Sequence, residues 1–219
     1  MPEFDNKKKL FIKTMLNFWE RKKRDFPWRR TKNPYNLLVT EILLRRTTAQ
    51  HVMKIYHKFF KKYKSFQDIL ETPESEIAKD LWRLGLSNQR SKQLKKLAEI
   101  IVHEHGGKIP TEESEILKLP GVGNYTCAAL MCLAFEKPAA MVDSNFVRVV
   151  KRYFGGHYKN LDYNHKELWK FARSLVPEGK CKEFNLGLMD FTAIICVPKK
   201  PKCTKCNLAA LCSYKKSNL

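Results

Sequence analysis

Apolar residues recur along the chain every three to four positions and almost nowhere every second one. Leu10, Phe11, Met15, Phe18 and Trp19 fall on one face of a first amphipathic helix. It stops in the turn-rich stretch RDFPWRRTKNP, Arg24–Pro34. Leu37, Leu38, Glu41, Ile42 and Leu44 mark a second helix, and Val52, Ile55, Tyr56, Phe59 and Phe60 a third. The spacing predicts further helices around Ser75–Arg83, Gln89–His105, Glu113–Lys118, Tyr125–Phe135, Asn145–Phe154, Lys166–Leu175 and Lys182–Ile195. With strand alternation absent, the pattern predicts an all-α class. Pro138 and the pair Gly155–Gly156 punctuate the second half, but no repeat or flexible linker divides the chain. A helical lobe that the chain leaves and later rejoins would read this way.

Composition changes the picture in two respects. The 219 residues are 43% hydrophobic and 11% aromatic, enough for a packed interior and too apolar for wholesale disorder. Lys and Arg number 42 against 22 Asp and Glu, a formal charge of +20 spread along the chain. A folded basic surface of this kind is expected to meet a polyanion; a lysine coat kept for solubility or heat tolerance is the plainer explanation. No apolar run approaches a membrane span, and the N-terminus has no secretion signal, so a cytosolic protein without membrane contact is expected.

Seven cysteines is an odd count, and disulfides are not expected in a cytosolic chain. Four of them, Cys196, Cys203, Cys206 and Cys212, crowd together with six, two and five residues between them. Four thiolates this close can surround one metal centre, either tetrahedral zinc or a cubane iron–sulfur cluster. Lys199, Lys200, Lys202 and Lys205 lie among them, suiting the segment to phosphate. Elsewhere, Leu119-Pro120-Gly121-Val122-Gly123 precedes the apolar-periodic Tyr125–Phe135. Two glycines one residue apart allow a tight turn with outward backbone N–H groups at a helix start, a phosphate nest that reads no sequence. An ordinary helix–helix turn is the bland alternative. Asp143 stands just ahead of an apolar helix, where its default role is an N-cap.

The run CVPKKPKCTKCNLAALC resembles the iron–sulfur loop of the endonuclease III and adenine glycosylase branch of helix–hairpin–helix DNA glycosylases. The resemblance implies a [4Fe–4S] cluster on the four cysteines. It also implies a two-lobed fold: a lobe of residues 34–135 ending in the hairpin, and a second lobe of 1–33 with 136–219 that carries the cluster loop 196–212. LPGVGNYTCAA resembles the family's hairpin, so Leu119, Gly121, Val122 and Gly123 are expected at DNA. VDSNFVRV resembles its catalytic aspartate motif, with Asp143 18 residues after Tyr125, as the family spaces its two key positions. The carboxylate would stabilise charge growing on the deoxyribose and orient the attacking water. Bifunctional members carry lysine where this chain has Tyr125. A phenol forms no Schiff base, so base removal without efficient strand cleavage is expected.

FPWR and Pro34-Tyr35 followed by Glu41 resemble the adenine branch, where the matching glutamate is a general acid. A helix-surface pair with Arg45 is the plain alternative for Glu41. That branch, however, has Gln-Gln-Thr-Gln-Val where this chain reads Arg45-Arg46-Thr47-Thr48-Ala49, and a glutamine where it has Leu186. TEILLRRTTA, GLSNQR, VDSNFVRVVKRYFGG and FNLGLMDF together resemble archaeal thymine–guanine mismatch glycosylases over nearly the whole chain. The resemblance implies removal of thymine or uracil opposite guanine in duplex DNA by a monomer. Ala49 and Leu186 would shape the base pocket, while Arg46 and Leu86 would enter the stack vacated by the extruded nucleotide. Adenine removal opposite guanine or 8-oxoguanine, and a non-catalytic DNA-binding module, are the competing expectations.

Overall fold

The computed structural model describes residues 2–217, and among them every regular element is helical. In chain order the helices are α1 (Pro2–Lys22), α2 (Pro34–Leu43), α3 (Ala49–Lys62), α4 (Phe66–Glu71), α5 (Glu74–Leu81) and α6 (Ser87–His105). They continue with α7 (Glu113–Ile116), α8 (Asn124–Leu133), α9 (Ser144–Phe154), α10 (Lys166–Arg173), α11 (Cys181–Ile194) and α12 (Ser213–Ser217). The all-α expectation is met. No helix is long and apolar enough to cross a membrane among the described residues.

Two compact units divide the chain: Asp25–Phe135, and Met1–Arg24 with Glu136–Leu219. In the first, α2 is buried nearly all round, with Leu37, Leu38, Val39, Ile42 and Leu43 inside, as a central helix must be. Asn33 starts it by accepting from the N–H groups of Tyr35 and Asn36, with Pro34 preset for the first turn. α4 and α5 pack on α6, and α2 on α8. The stretch read as turn-rich joins this unit through aromatic contacts. Phe26 stacks on Trp28 at 4.9 Å and Trp28 meets Tyr56 at 5.7 Å, which brings residues 25–33 in with the helices that follow.

In the second unit α1 packs on α11 at Gly187, where an added Cβ would lie 2.2 Å from the Met15 carbonyl oxygen. Only glycine permits that approach. Around the crossing lie Phe11, Met15, Phe146, Val150, Tyr153, Phe184 and Phe191. Asp190, its side chain fully buried, accepts from Arg24 Nε at 2.6 Å and from the Arg24 backbone N–H at 2.9 Å, which ties the end of α1 to α11. Cys181 is disulfide-bonded, which corrects the expectation of a chain without disulfides. It is buried.

Candidate active site and nucleic-acid interface

The hairpin lies between α7 and α8. Leu119 and Val122 are only 3% and 7% exposed, so their side chains hold the turn to the core and only their backbone can meet a ligand. Val122 N–H donates to Leu119 O at 3.0 Å, closing the turn, and Gly121 sits at φ 74°, where an L side chain is strained. Gly123 differs. Its φ is −103°, and a Cβ there would meet nothing within 4 Å, so the fold does not require this glycine. The N–H groups of Gly121, Gly123 and Asn124 donate to no described residue, which leaves an open anion nest at the start of α8. Tyr125 is half-buried in the first turn of that helix.

Arg46 and Leu86 are both exposed, and both hold positive φ, 49° and 51°. Such backbones persist only where the surroundings enforce them. The enforcing group is Arg90, a buried guanidinium that sequence reading assigned no role. It donates to Ile42 O at 2.7 Å, to Gly85 O at 3.0 Å and to Arg45 O. One side chain thus fixes the carbonyls immediately preceding both strained residues. Its buried position in the first turns of α6 is the signal that a sequence reading could weigh only as a charge on a helix. Glu41 and Ala49 are partly exposed, in α2 and at the start of α3. Arg45 donates to Gly121 O, and burial holds its guanidinium below the usual value, opposed by the charge of Glu41.

Asp143 is the N-cap of α9. Its Oδ1 accepts the Phe146 N–H at 2.8 Å and its Oδ2 accepts the Asn145 amide at 2.6 Å, with the residue itself partly exposed. Asn145 Oδ1 accepts from Arg148 at 2.8 Å, and Arg148 donates in turn to Thr192 O and Cys196 O at 3.2 and 3.0 Å. The extended lead-in to Asp143 is fixed by Asn185, which takes the Met141 N–H at 2.9 Å and gives its amide to Ala139 O at 2.8 Å. Neither Asn185 nor Arg148 was singled out by sequence; both are polar groups whose function lies in bonds between distant segments. Leu186 beside Asn185 is buried.

The four clustered cysteines are each partly buried and share one environment. Arg152 donates to Cys196 Sγ at 3.5 Å and to the carbonyls of Val197 and Pro198 at 2.7 Å each, while Cys212 Sγ donates to Arg152 O at 3.4 Å. Burial, then the nearby thiols, pushes Cys206 up to about 11, and burial likewise raises Cys212. Among the described residues no three His, Cys, Asp or Glu side chains are close enough to hold a single metal ion. The donor set is all sulfur, a chemistry that suits an iron–sulfur centre as well as zinc.

Residues 39–174 match the family model described as HhH-GPD superfamily base excision DNA repair protein. A thymine/uracil-DNA glycosylase of Methanothermobacter thermautotrophicus is 65% identical over 210 residues, 96% of this chain and 95% of that one. A solved structure of a thermostable thymine-DNA glycosylase superposes with a TM-score of 0.97 at 64% identity, covering 98% of this chain and 99% of the other. An adenine DNA glycosylase of Buchnera aphidicola is 33% identical over 213 residues, 96% of this chain but 60% of that one.

Proposed function

The chain belongs to the HhH-GPD superfamily of base excision DNA repair proteins, and on that premise we propose that it is a monofunctional DNA glycosylase releasing thymine or uracil mispaired with guanine in duplex DNA. The observation that carries the reading is the 65% identity to a thymine/uracil-DNA glycosylase along 96% of the chain. The adenine enzyme reaches 33%, and Ala49 and Leu186 stand where the adenine branch has a valine and a glutamine, which remakes the base pocket. In this reading the protein works as a monomer on chromosomal DNA in the cytosol.

The open N–H groups of Gly121, Gly123 and Asn124 seat a backbone phosphate and fix the register without reading bases. Extruding the target nucleotide costs a few kcal/mol, and less at a mispair, so the wobble itself favours the damaged site. Arg46 and Leu86, preset by Arg90, fill the vacated stack. The C1′–N1 bond then breaks with its electron pair passing to the pyrimidine, which leaves as a stabilised anion. Asp143, oriented by the Phe146 and Asn145 donors, faces the cationic sugar. It accepts the proton of the water that adds to C1′, and that proton ends on the released base. Glu41 supplies a hydrogen bond to the departing ring. Tyr125 offers no amine, so the abasic strand stays intact.

Cys196, Cys203, Cys206 and Cys212 would hold the [4Fe–4S] cluster, whose contribution is to fasten the lysine-bearing loop rather than to act on the glycosidic bond. The reading is tested with duplexes containing T·G, U·G, A·G and A·8-oxoguanine, each incubated with enzyme and then cleaved with alkali. Cleavage is expected at T·G and U·G, and to be lost in Asp143→Asn. Preferential cleavage of the adenine strand overturns the substrate, and full activity of Asp143→Asn overturns the mechanism.

A further inference from the structure

The unit Asp25–Phe135 carries a basic cavity of about 210 Å³, between α3 and the segment 79–83, that the reaction above leaves unused. Five cations line it, Lys54, Lys58, Lys62, Lys79 and Arg83, against the one carboxylate of Asp80. That carboxylate is already occupied. It accepts from Lys62 at 2.5 Å and from the Tyr63 hydroxyl at 2.9 Å, and Lys62 also reaches Glu76 at 2.7 Å. Lys54, Lys58 and Lys79 pair with no carboxylate among the described residues, and Arg83 lies over the Trp82 ring at 5.4 Å. Trp82 is 66% exposed, more than the other large hydrophobic residues exposed among those described. It opens the 3₁₀ turn Trp82–Leu84, which runs directly into Gly85 and the strained Leu86.

An indole this exposed costs solubility and adds nothing to the core. Together with unpaired lysines it has the two components of a single-strand nucleic-acid site: a ring on which any base stacks and a basic wall that follows phosphates. Lys54 and Lys58 lie one turn apart on the solvent side of α3, so both ammonium groups are available to one strand. An acidic peptide would satisfy the lysines and leave the ring face without a use.

We propose that this cavity binds an unpaired stretch of DNA, one base stacked on Trp82 and the adjoining phosphates on Lys54 and Lys58. The assignment rests on the glycosylase reading, and it gives a landing place to strand that loses its pairing beside Leu86.

The test titrates the whole enzyme with fluorescein-labelled oligothymidylate, following anisotropy and tryptophan emission. Oligothymidylate should quench the emission. Trp82→Ala should bind roughly tenfold more weakly, within the range seen when a stacking ring is removed. Trp82→Phe should recover most of the affinity without the quench. Lys54→Gln with Lys58→Gln should flatten the slope of log affinity against log salt by about 1.4, or ~0.7 for each lost phosphate contact. Wild-type binding by Trp82→Ala overturns the site, as does polyglutamate binding as tightly as the oligonucleotide. If wild type releases thymine from T·G yet shows no Trp82-dependent quench, this site fails and the glycosylase reading stands. If the quench is present and no base is released, the reverse holds.

Discussion

The carboxylate of Asp143 closes the first turn of α9 by accepting the Phe146 N–H, and asparagine in its place keeps an acceptor there while removing the charge. Cap and chemistry can therefore be separated by two substitutions. Asp143→Asn should retain the melting temperature and lose base release by about a hundred- to ten-thousand-fold, the usual worth of a positioned acid or base. Asp143→Ala should lose the same activity and in addition about 1 kcal/mol of stability, the worth of an N-cap. Single-turnover release from a T·G duplex and a thermal melt measure the two effects. If Asp143→Asn melts well below the wild type, its lost activity would report damage to the fold. The sequence made the cap readable from position alone, but Asp143 as an acid needed the family resemblance, because a capping and a catalytic aspartate look alike in a single chain. Asn145, Asn185 and Arg148 were not legible at all. Their partners lie as far off as Cys196 for Arg148, and no local pattern encodes such a bond.

Helical periodicity located most elements to within a few residues, since each amphipathic face repeats over two turns or more. It missed α4, a helix of six residues whose only signal is the Ser65–Asp68 capping box, and α12 at the end of the chain. It also ran the fifth helix on to Arg83, where the structure turns to 3₁₀ at Trp82. Glycines show the limit of motif reading. Gly187 lies in a quoted motif without an assigned role, yet Gly187→Ala would drive a Cβ into the Met15 carbonyl. The expected cost is about 1–3 kcal/mol of overpacking, read as a fall of several degrees in the melt at about 2–4 °C per kcal/mol. Gly123→Ala should leave the melt unchanged and weaken duplex binding, since its Cβ would enter only the space a phosphate would occupy. A parallel fall in both melts would refute that division. Arg90→Lys probes the clamp between α2 and α6. Lysine keeps the charge but not the planar fork, so at least one buried carbonyl loses its donor, at about 1–3 kcal/mol. With Arg46 and Leu86 released, base extrusion followed by 2-aminopurine beside the mismatch should slow further than the stability loss alone explains. Wild-type extrusion would reduce Arg90 to a packing role.

At the scale of the whole molecule, charge was the most visible property of the sequence and the least specific. A formal charge of +20 suits DNA, but it suits a heat-tolerant surface equally. The structure sharpens this by showing which cations are already engaged. Arg24 is held by Asp190, Arg90, Arg148 and Arg152 by backbone carbonyls, and Lys62 by Glu76 and Asp80. These serve the fold and should release no counterions on binding. Lys95 is likewise held by the carbonyls of Leu70 and Thr72, while exposed lysines such as Lys54 and Lys58 stay available to phosphates. A glycosylase that grips both the hairpin phosphate and the flanking backbone should make on the order of 6–10 phosphate contacts, so log affinity for duplex should fall against log salt with a slope of about −5 to −9. The Asp143→Asn protein permits the measurement without turnover. T·G and fully paired duplexes should share that slope, because mismatch recognition enters through extrusion and stacking rather than through phosphate charge. The gap between the two affinities should then hold constant as salt rises. A slope near −1 would return the charge to the role of a solubility coat. A gap that closed with salt would place mismatch recognition in phosphate contacts instead of in the residues that Arg90 presents.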